Sequence, residues 1–203
     1  HFLFVQKPPG APYGQIAMSD ADRGEVRVLT DDPGMKNDPG LFNAPEFGGE
    51  LLLVCNVDNS ALAIYRDEKK DGKSPWKRIA TLALPDDAPY RFISSPETIA
   101  SATGVGGVSY FSLLARENKE RNSRGSIWVL GLGSDEKNRF ARRVDDGASS
   151  TVLEPEPFVG KNEVYVYFNA YNSLTRENGL RRAATGIKVE AARELTGASA
   201  GTR

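Results

Sequence analysis

Short apolar segments recur along the chain, separated by clusters of Gly, Asn, Asp and charged residues. Segments 51–56, 61–66 and 76–82 are rich in Leu, Val, Ile, Ala and Tyr, and segments 108–115, 126–132 and 140–144 repeat that content. Runs this short, enriched in β-branched and aromatic residues, predict strands, because such side chains fit a pleated, half-buried surface. Further strands are predicted at 2–5, 15–19, 25–29 and 164–170, with weaker candidates at 179–183 and 187–190. Gly48-Gly49 and Asp58-Asn59 supply turn chemistry between them.

A two-part phrase punctuates these strands. An apolar residue leads into Asp31-Asp32, Asp86-Asp87 and Asp145-Asp146, and each pair is followed by Pro45-Glu46, Pro96-Glu97 or Pro155-Glu156. Recurrence at roughly 50 residues marks a repeat array. It divides the chain into units of about 1–32, 33–87, 88–146 and 147–195. A full unit then holds a Pro-Glu strand and three others, which is the content of a propeller blade. The expected fold is a single all-β propeller domain over residues 1–195, with four blades, or five. The first unit lacks its Pro-Glu strand and the chain opens on His1 rather than Met. The expectation is that C-terminal residues close the ring or that further residues precede it. Residues 196–203 are small and polar and read as a disordered tail. A two-sheet sandwich is the alternative for so many short strands.

Composition narrows the chemistry. Lys and Arg total 26 against 27 Asp and Glu, a net charge of −1, which gives no footprint for nucleic acid or an anionic membrane. No apolar run approaches the ~20 residues of a membrane-spanning helix. The single histidine, His1, stands at a terminus, so Ser-His-Asp hydrolysis and His-ligated zinc are excluded. Cys55 lies in an apolar run and reads as a buried thiol.

The residues also resemble known propellers. Residues 126–132 (Ser-Ile-Trp-Val-Leu-Gly-Leu), then Arg142-Arg143-Val144-Asp145-Asp146-Gly147, then Pro155-Glu156-Pro157-Phe158, resemble the TolB-type repeat, and Leu29-Thr30-Asp31-Asp32 matches the same phrase. That resemblance implies a non-catalytic propeller that binds protein or glycan. Ala44-Pro45-Glu46-Phe47 followed by 51–56, and Glu154-Pro155-Glu156-Pro157-Phe158 followed by 164–168, resemble blades of the five-bladed glycosidases of glycoside hydrolase family 43. This second resemblance implies carbohydrate as the ligand and maps the family's general acid onto Glu154 or Glu156. Where that family carries Asp-Pro in its middle blade, this chain has Ser95-Pro96-Glu97.

In a propeller the first strand of each blade lines the central channel, so Glu46, Glu97 and Glu156 are expected to converge, with Glu154 beside them. Clustered carboxylates raise at least one pKa, which suits an acid–base pair for glycoside cleavage. The catalytic candidates are therefore Glu156, Glu154, Glu97 and Glu46. The same oxygens suit a hard cation such as calcium; no other cofactor is expected. Structural roles compete: proline at a strand start fixes φ, and Asp-Asp after a strand is ordinary turn chemistry. Tyr90 and Phe42, near the crossovers, are candidates for stacking on sugar. Arg116, at the start of the charged insertion 116–124, is a third substrate-binding candidate. The expected ligand is a carbohydrate or protein at the propeller mouth, in a secreted or periplasmic protein that does not insert into membranes.

Overall fold

The computed structural model describes residues 2–20, 22–71, 73–99, 108–120, 123–147 and 151–189. These residues form an all-β protein, with strands β1 (Phe2–Gln6), β2 (Gln15–Asp20), β3 (Glu25–Val28), β4 (Lys36–Ala44), β5 (Glu50–Val57), β6 (Ala61–Arg66), β7 (Lys77–Ala83), β8 (Phe92–Thr98), β9 (Tyr110–Arg116), β10 (Gly125–Gly131), β11 (Phe140–Arg143), β12 (Thr151–Val159), β13 (Glu163–Tyr171) and β14 (Asn178–Lys188). They pair antiparallel in chain order into four sheets: β1–β3, β4–β7, β8–β11 and β12–β14. The predicted tail, 196–203, lies outside the described residues.

The sheets stack face to face in the same order, and strand alternation shows how. Leu53, Cys55, Ala63 and Tyr65 of the second sheet pack on Ile16 and Leu29 beside the first. Their neighbours Leu52, Val54, Leu62 and Ile64 point the other way, onto Phe111, Leu113, Trp128 and Leu130 of the third. The third sheet turns Leu114, Ile127 and Val129 onto Val164, Val166 and Phe168 of the fourth. A sheet covered on both faces needs apolar residues at successive positions, which is why 51–55 reads Leu-Leu-Leu-Val-Cys. Among the described residues the fourth sheet is covered on one face, and β13 alternates Val164, Val166, Phe168 (buried) with Tyr165, Tyr167, Asn169.

The expected four strands per unit hold for the two middle sheets. In the fourth, the two weak candidates merge into β14, which continues through Gly186 at φ 72°. Its first five residues are exposed, so they lack apolar periodicity. In the first sheet, backbone bonds show which strands are present. Leu29 N–H donates to the Ile16 carbonyl (2.7 Å) just as Val144 N–H donates to that of Ile127 (2.9 Å). Hence β1, β2 and β3 correspond to β9, β10 and β11.

The same match corrects the alignment of the Asp-Asp phrase. Ile16 N–H donates to Thr30 Oγ1 at 2.9 Å, and Ile127 N–H donates to Asp145 Oδ1 at 3.1 Å. Thr30 and Asp145, not Asp31 and Asp145, are the equivalent residues, and both act as locks on the neighbouring strand. Asp145 also accepts from Ser126 Oγ, from Arg143 Nε at 3.0 Å and from Gly147 N–H at 3.2 Å. At the joint between the first two sheets Lys36 is fully buried. Its ammonium donates to the carbonyls of Asp32, Pro33 (3.2 Å) and Gly34 (3.0 Å) and pairs with the Asp32 carboxylate at 3.2 Å. Tyr65 Oη donates to the same carboxylate at 3.0 Å, and Arg78 completes the ion pair. Burial beside this network pushes the Cys55 thiol up to about 12, so it stays protonated and inert.

Burial opposes ionisation of Asp145, but the hydrogen bonds from Arg143 and Ser126 outweigh it and hold its carboxyl below the usual range. The stabilisation this brings is present above the unfolded value and is lost as pH falls through the lowered folded value. Asp145→Ala leaves the Ile127 N–H without its side-chain acceptor and is expected to cost about 2 kcal/mol in urea unfolding at pH 7. The gap from wild type should shrink below about pH 4.

Candidate functional site

The first strands of the second, third and fourth sheets share one irregularity. In β4 the pairing with β5 shifts between Asn37 and Gly40, in β8 the pairing with β9 shifts between Ser94 and Glu97, and in β12 the pairing with β13 shifts between Leu153 and Glu156. Each shift is a bulge in which two residues oppose one. Its first residue is left-handed and is not glycine: Asp38 at φ 50°, Ser95 at φ 50° and Glu154 at φ 53°. A proline follows each of them, Pro39, Pro96 and Pro155. A non-glycine residue held at positive φ stores strain of order 1 kcal/mol or more, and bulges re-aim side chains next to functional sites.

The bulges define the true repeat. Asp38-Pro39-Gly40, Ser95-Pro96-Glu97 and Glu154-Pro155-Glu156 are equivalent; Pro45-Glu46 is not. Pro45 and Glu46 lie beyond β4 in a 3-10 turn (Pro45–Phe47), where proline suits the first helical position. The Glu46 carboxylate is taken up by Ser109, whose N–H and hydroxyl each donate to it at 2.9 Å. It bridges the second and third sheets, and the expected ring of Glu46, Glu97 and Glu156 is replaced by a cluster that includes Asp38. Sequence reasoning missed Asp38, although the spacing acid-Pro-x-x-Phe is shared by residues 38–42 and 154–158.

The cluster is electrostatically coupled. Burial first, then the charges of Glu156 and Asp38, push the Glu97 carboxyl above the usual range. Glu97 is half-buried, whereas Asp38, Ser95, Glu154 and Glu156 are exposed. Glu154 Oε2 accepts from Asn169 Nδ2 of β13 at 3.0 Å, which orients the carboxylate without burying it. Among the described residues, no three acidic or thiol side chains gather closely enough to hold a metal ion. No helix of the described residues is long and apolar enough to cross a membrane.

The expected sugar-stacking residues take other places. Phe42 is 5% exposed and meets Phe111 edge to face at 5.1 Å. Tyr90 is 3% exposed, against Trp128 at 6.3 Å with Arg143 over its ring at 5.9 Å. Both belong to the core between the second and third sheets, because covering both faces of those sheets consumes the aromatics near the crossovers. Arg116 ends β9 with its guanidinium 4.8 Å from the Phe92 ring centre. Its burial lowers the guanidinium pKa. Among the described residues, surface grooves lie beside Leu84 and Tyr90, beside Pro85 and Phe140, and beside Asp145 and Arg182. None of the three is lined by the bulge carboxylates. No protein-family model, curated protein or solved structure matches the chain.

Because the raised Glu97 binds its proton more tightly when folded, it favours the fold below the ordinary carboxyl value. That contribution is lost as pH rises through the raised value. Glu97→Gln should therefore raise the Tm at pH 7, and the gain should vanish below about pH 4. Ser95→Gly relieves a left-handed serine and is expected to stabilise by about 1 kcal/mol in denaturant unfolding.

Proposed function

We propose that the four stacked sheets are successive blades of a β-propeller whose inner strands form a carbohydrate-directed site that cleaves glycosidic bonds. The observation that carries this reading is the threefold recurrence of a strained, proline-followed bulge at Asp38, Ser95 and Glu154, two of them acids. Meander sheets stacked in chain order, with first strands β4, β8 and β12 adjacent in series, support the propeller.

Glycoside hydrolysis needs a proton donor for the leaving oxygen and an ionised carboxylate for water or the anomeric carbon. Glu97, raised by burial and then by its acidic neighbours, keeps its proton into a higher pH range and supplies the acid. Asp38, Glu156 and the Asn169-oriented Glu154 supply the carboxylate. The proton moves from Glu97 to the glycosidic oxygen as the C–O bond breaks, and a neighbouring carboxylate accepts the proton of the attacking water. Ser95 at the middle bulge favours a second reading, glycan binding without turnover, since it removes one acid from the set.

The test is a panel of aryl-glycosides and soluble oligosaccharides, assayed for turnover and, by calorimetry, for binding. Wild type should turn over at least one substrate, with a rate that falls as pH rises and Glu97 loses its proton. Glu97→Gln should lose about 100-fold or more in kcat. Glu154→Gln and Glu156→Gln separate the remaining carboxylates. Binding without turnover selects the second reading, and neither binding nor turnover removes both.

A further inference from the structure

Arg116 is a cation drawn out of water without a counter-ion. It ends β9 half-buried, its guanidinium 4.8 Å from the centre of the Phe92 ring. The hydrogen bond from Nη1 to the Glu120 carbonyl is long, 3.4 Å, and the buried Nε has no partner. Burial lowers the guanidinium pKa, and among the described residues no carboxylate offsets that loss. Glu117 and Glu120 of the same hairpin are exposed, and neither carboxylate pairs with it. The half-buried Arg27, Arg66, Arg78 and Arg143 each pair with an acid. Arg139 does not, but Glu136, three residues before it, lines the same groove. Desolvating a charge is unfavourable until a partner of opposite sign meets it. At Arg116 that partner is left for a ligand to supply.

The repeat shows that this place is used differently in neighbouring sheets. Pairing register makes Phe92 and Arg116 equivalent to Met35 and Asp58 of the second sheet. There Asp58 locks the chain, accepting from Met35 N–H at 2.8 Å. Arg116 makes no such lock. Residues two apart on a strand share a face, so Arg116 lies on the same face of β9 as Ser112, the pairing partner of Glu97. Four residues separate Arg116 from Ser112, about 13 Å at the usual rise of a strand. Along that span Phe92, Ser94, Ser95 and Pro96 of β8 are each open to solvent at least in part. One sugar ring is too short to reach from Glu97 to Arg116. The planar fork of an arginine matches a carboxylate, and the Phe92 ring steadies this one by a cation–π contact.

We propose that Arg116 receives the carboxylate of an acidic sugar, so that the substrate is an oligosaccharide with a uronate at Arg116 and its cleaved bond at Glu97. The place of cleavage rests on the glycosidase reading; the carboxylate site rests on Arg116 itself.

The experiment is calorimetry and a turnover assay on the full chain with oligogalacturonate, oligomannuronate and oligoglucuronate, each beside its methyl ester. Esterification removes the charge and keeps the sugar. At least one acid should bind about 10-fold or more tightly than its ester, the scale of one charge-assisted contact. Arg116→Gln should bring that acid down to the affinity of its ester, and Arg116→Lys, which keeps the charge without the fork, should recover part of the loss. If Arg116→Gln loses its β-sheet circular dichroism, Arg116→Lys and the acid–ester difference in wild type carry the test. An ester bound as well as its acid, a loss in Arg116→Gln that falls equally on both, or binding of no acid overturns the proposal. So does an Arg116-dependent affinity for hexaglutamate with none for the sugar acids, which marks a protein partner. Arg116-dependent binding of an acid that wild type never turns over upholds the carboxylate site and removes cleavage at Glu97.

Discussion

A β-sheet with apolar residues on both faces is unstable until both are covered, and that requirement organises this molecule. The second and third sheets meet it fully: Leu52 and Val54 turn one way, Leu53 and Cys55 the other, and all four are buried. Each sheet covers its neighbours, so the array has little meaning as separate pieces. The joints reflect this. Lys36 is buried to satisfy three carbonyls of the link between the first two sheets, and Glu46 spans to Ser109 between the second and third. Charged groups are placed where backbone would otherwise lack partners, which is the condition under which burying them is tolerable.

The bulges do the opposite. Asp38, Ser95 and Glu154 sit in a conformation that favours glycine, on strands that would pair more regularly without them. Repeating that strain in three consecutive sheets brings acidic side chains from separate strands into range of Glu97. The proline within each bulge fixes φ and removes an N–H that the interrupted ladder would leave unpaired. Strain and positioning are thus two aspects of one local sequence, polar residue then proline.

Much of this was legible in the chain. Alternation and turn residues place nearly every strand, because the middle sheets are so uniformly apolar. The Asp-Asp and Pro-Glu phrases pointed to the right repeat length but to the wrong equivalences. Thr30, not Asp31, matches Asp145, since a hydroxyl and a carboxylate can both accept the same backbone N–H. Pro45-Glu46 imitates Pro96-Glu97 in letters while capping a 3-10 turn. Asp38-Pro39 escapes the Pro-Glu phrase because equivalence is set by pairing register, which puts Gly40 where Glu97 and Glu156 stand in the other two bulges. Phe42 and Tyr90 look like surface aromatics until the stacking of sheets is known.

Cys55 is the chain's one sulfhydryl, sealed between the first two sheets with its proton held firmly. The native surface is therefore silent toward thiol-directed reagents. A cysteine introduced at any exposed position would be the sole point of attachment for a dye or spin label. The separations between the stacked sheets can thus be measured in solution without first deleting a native residue.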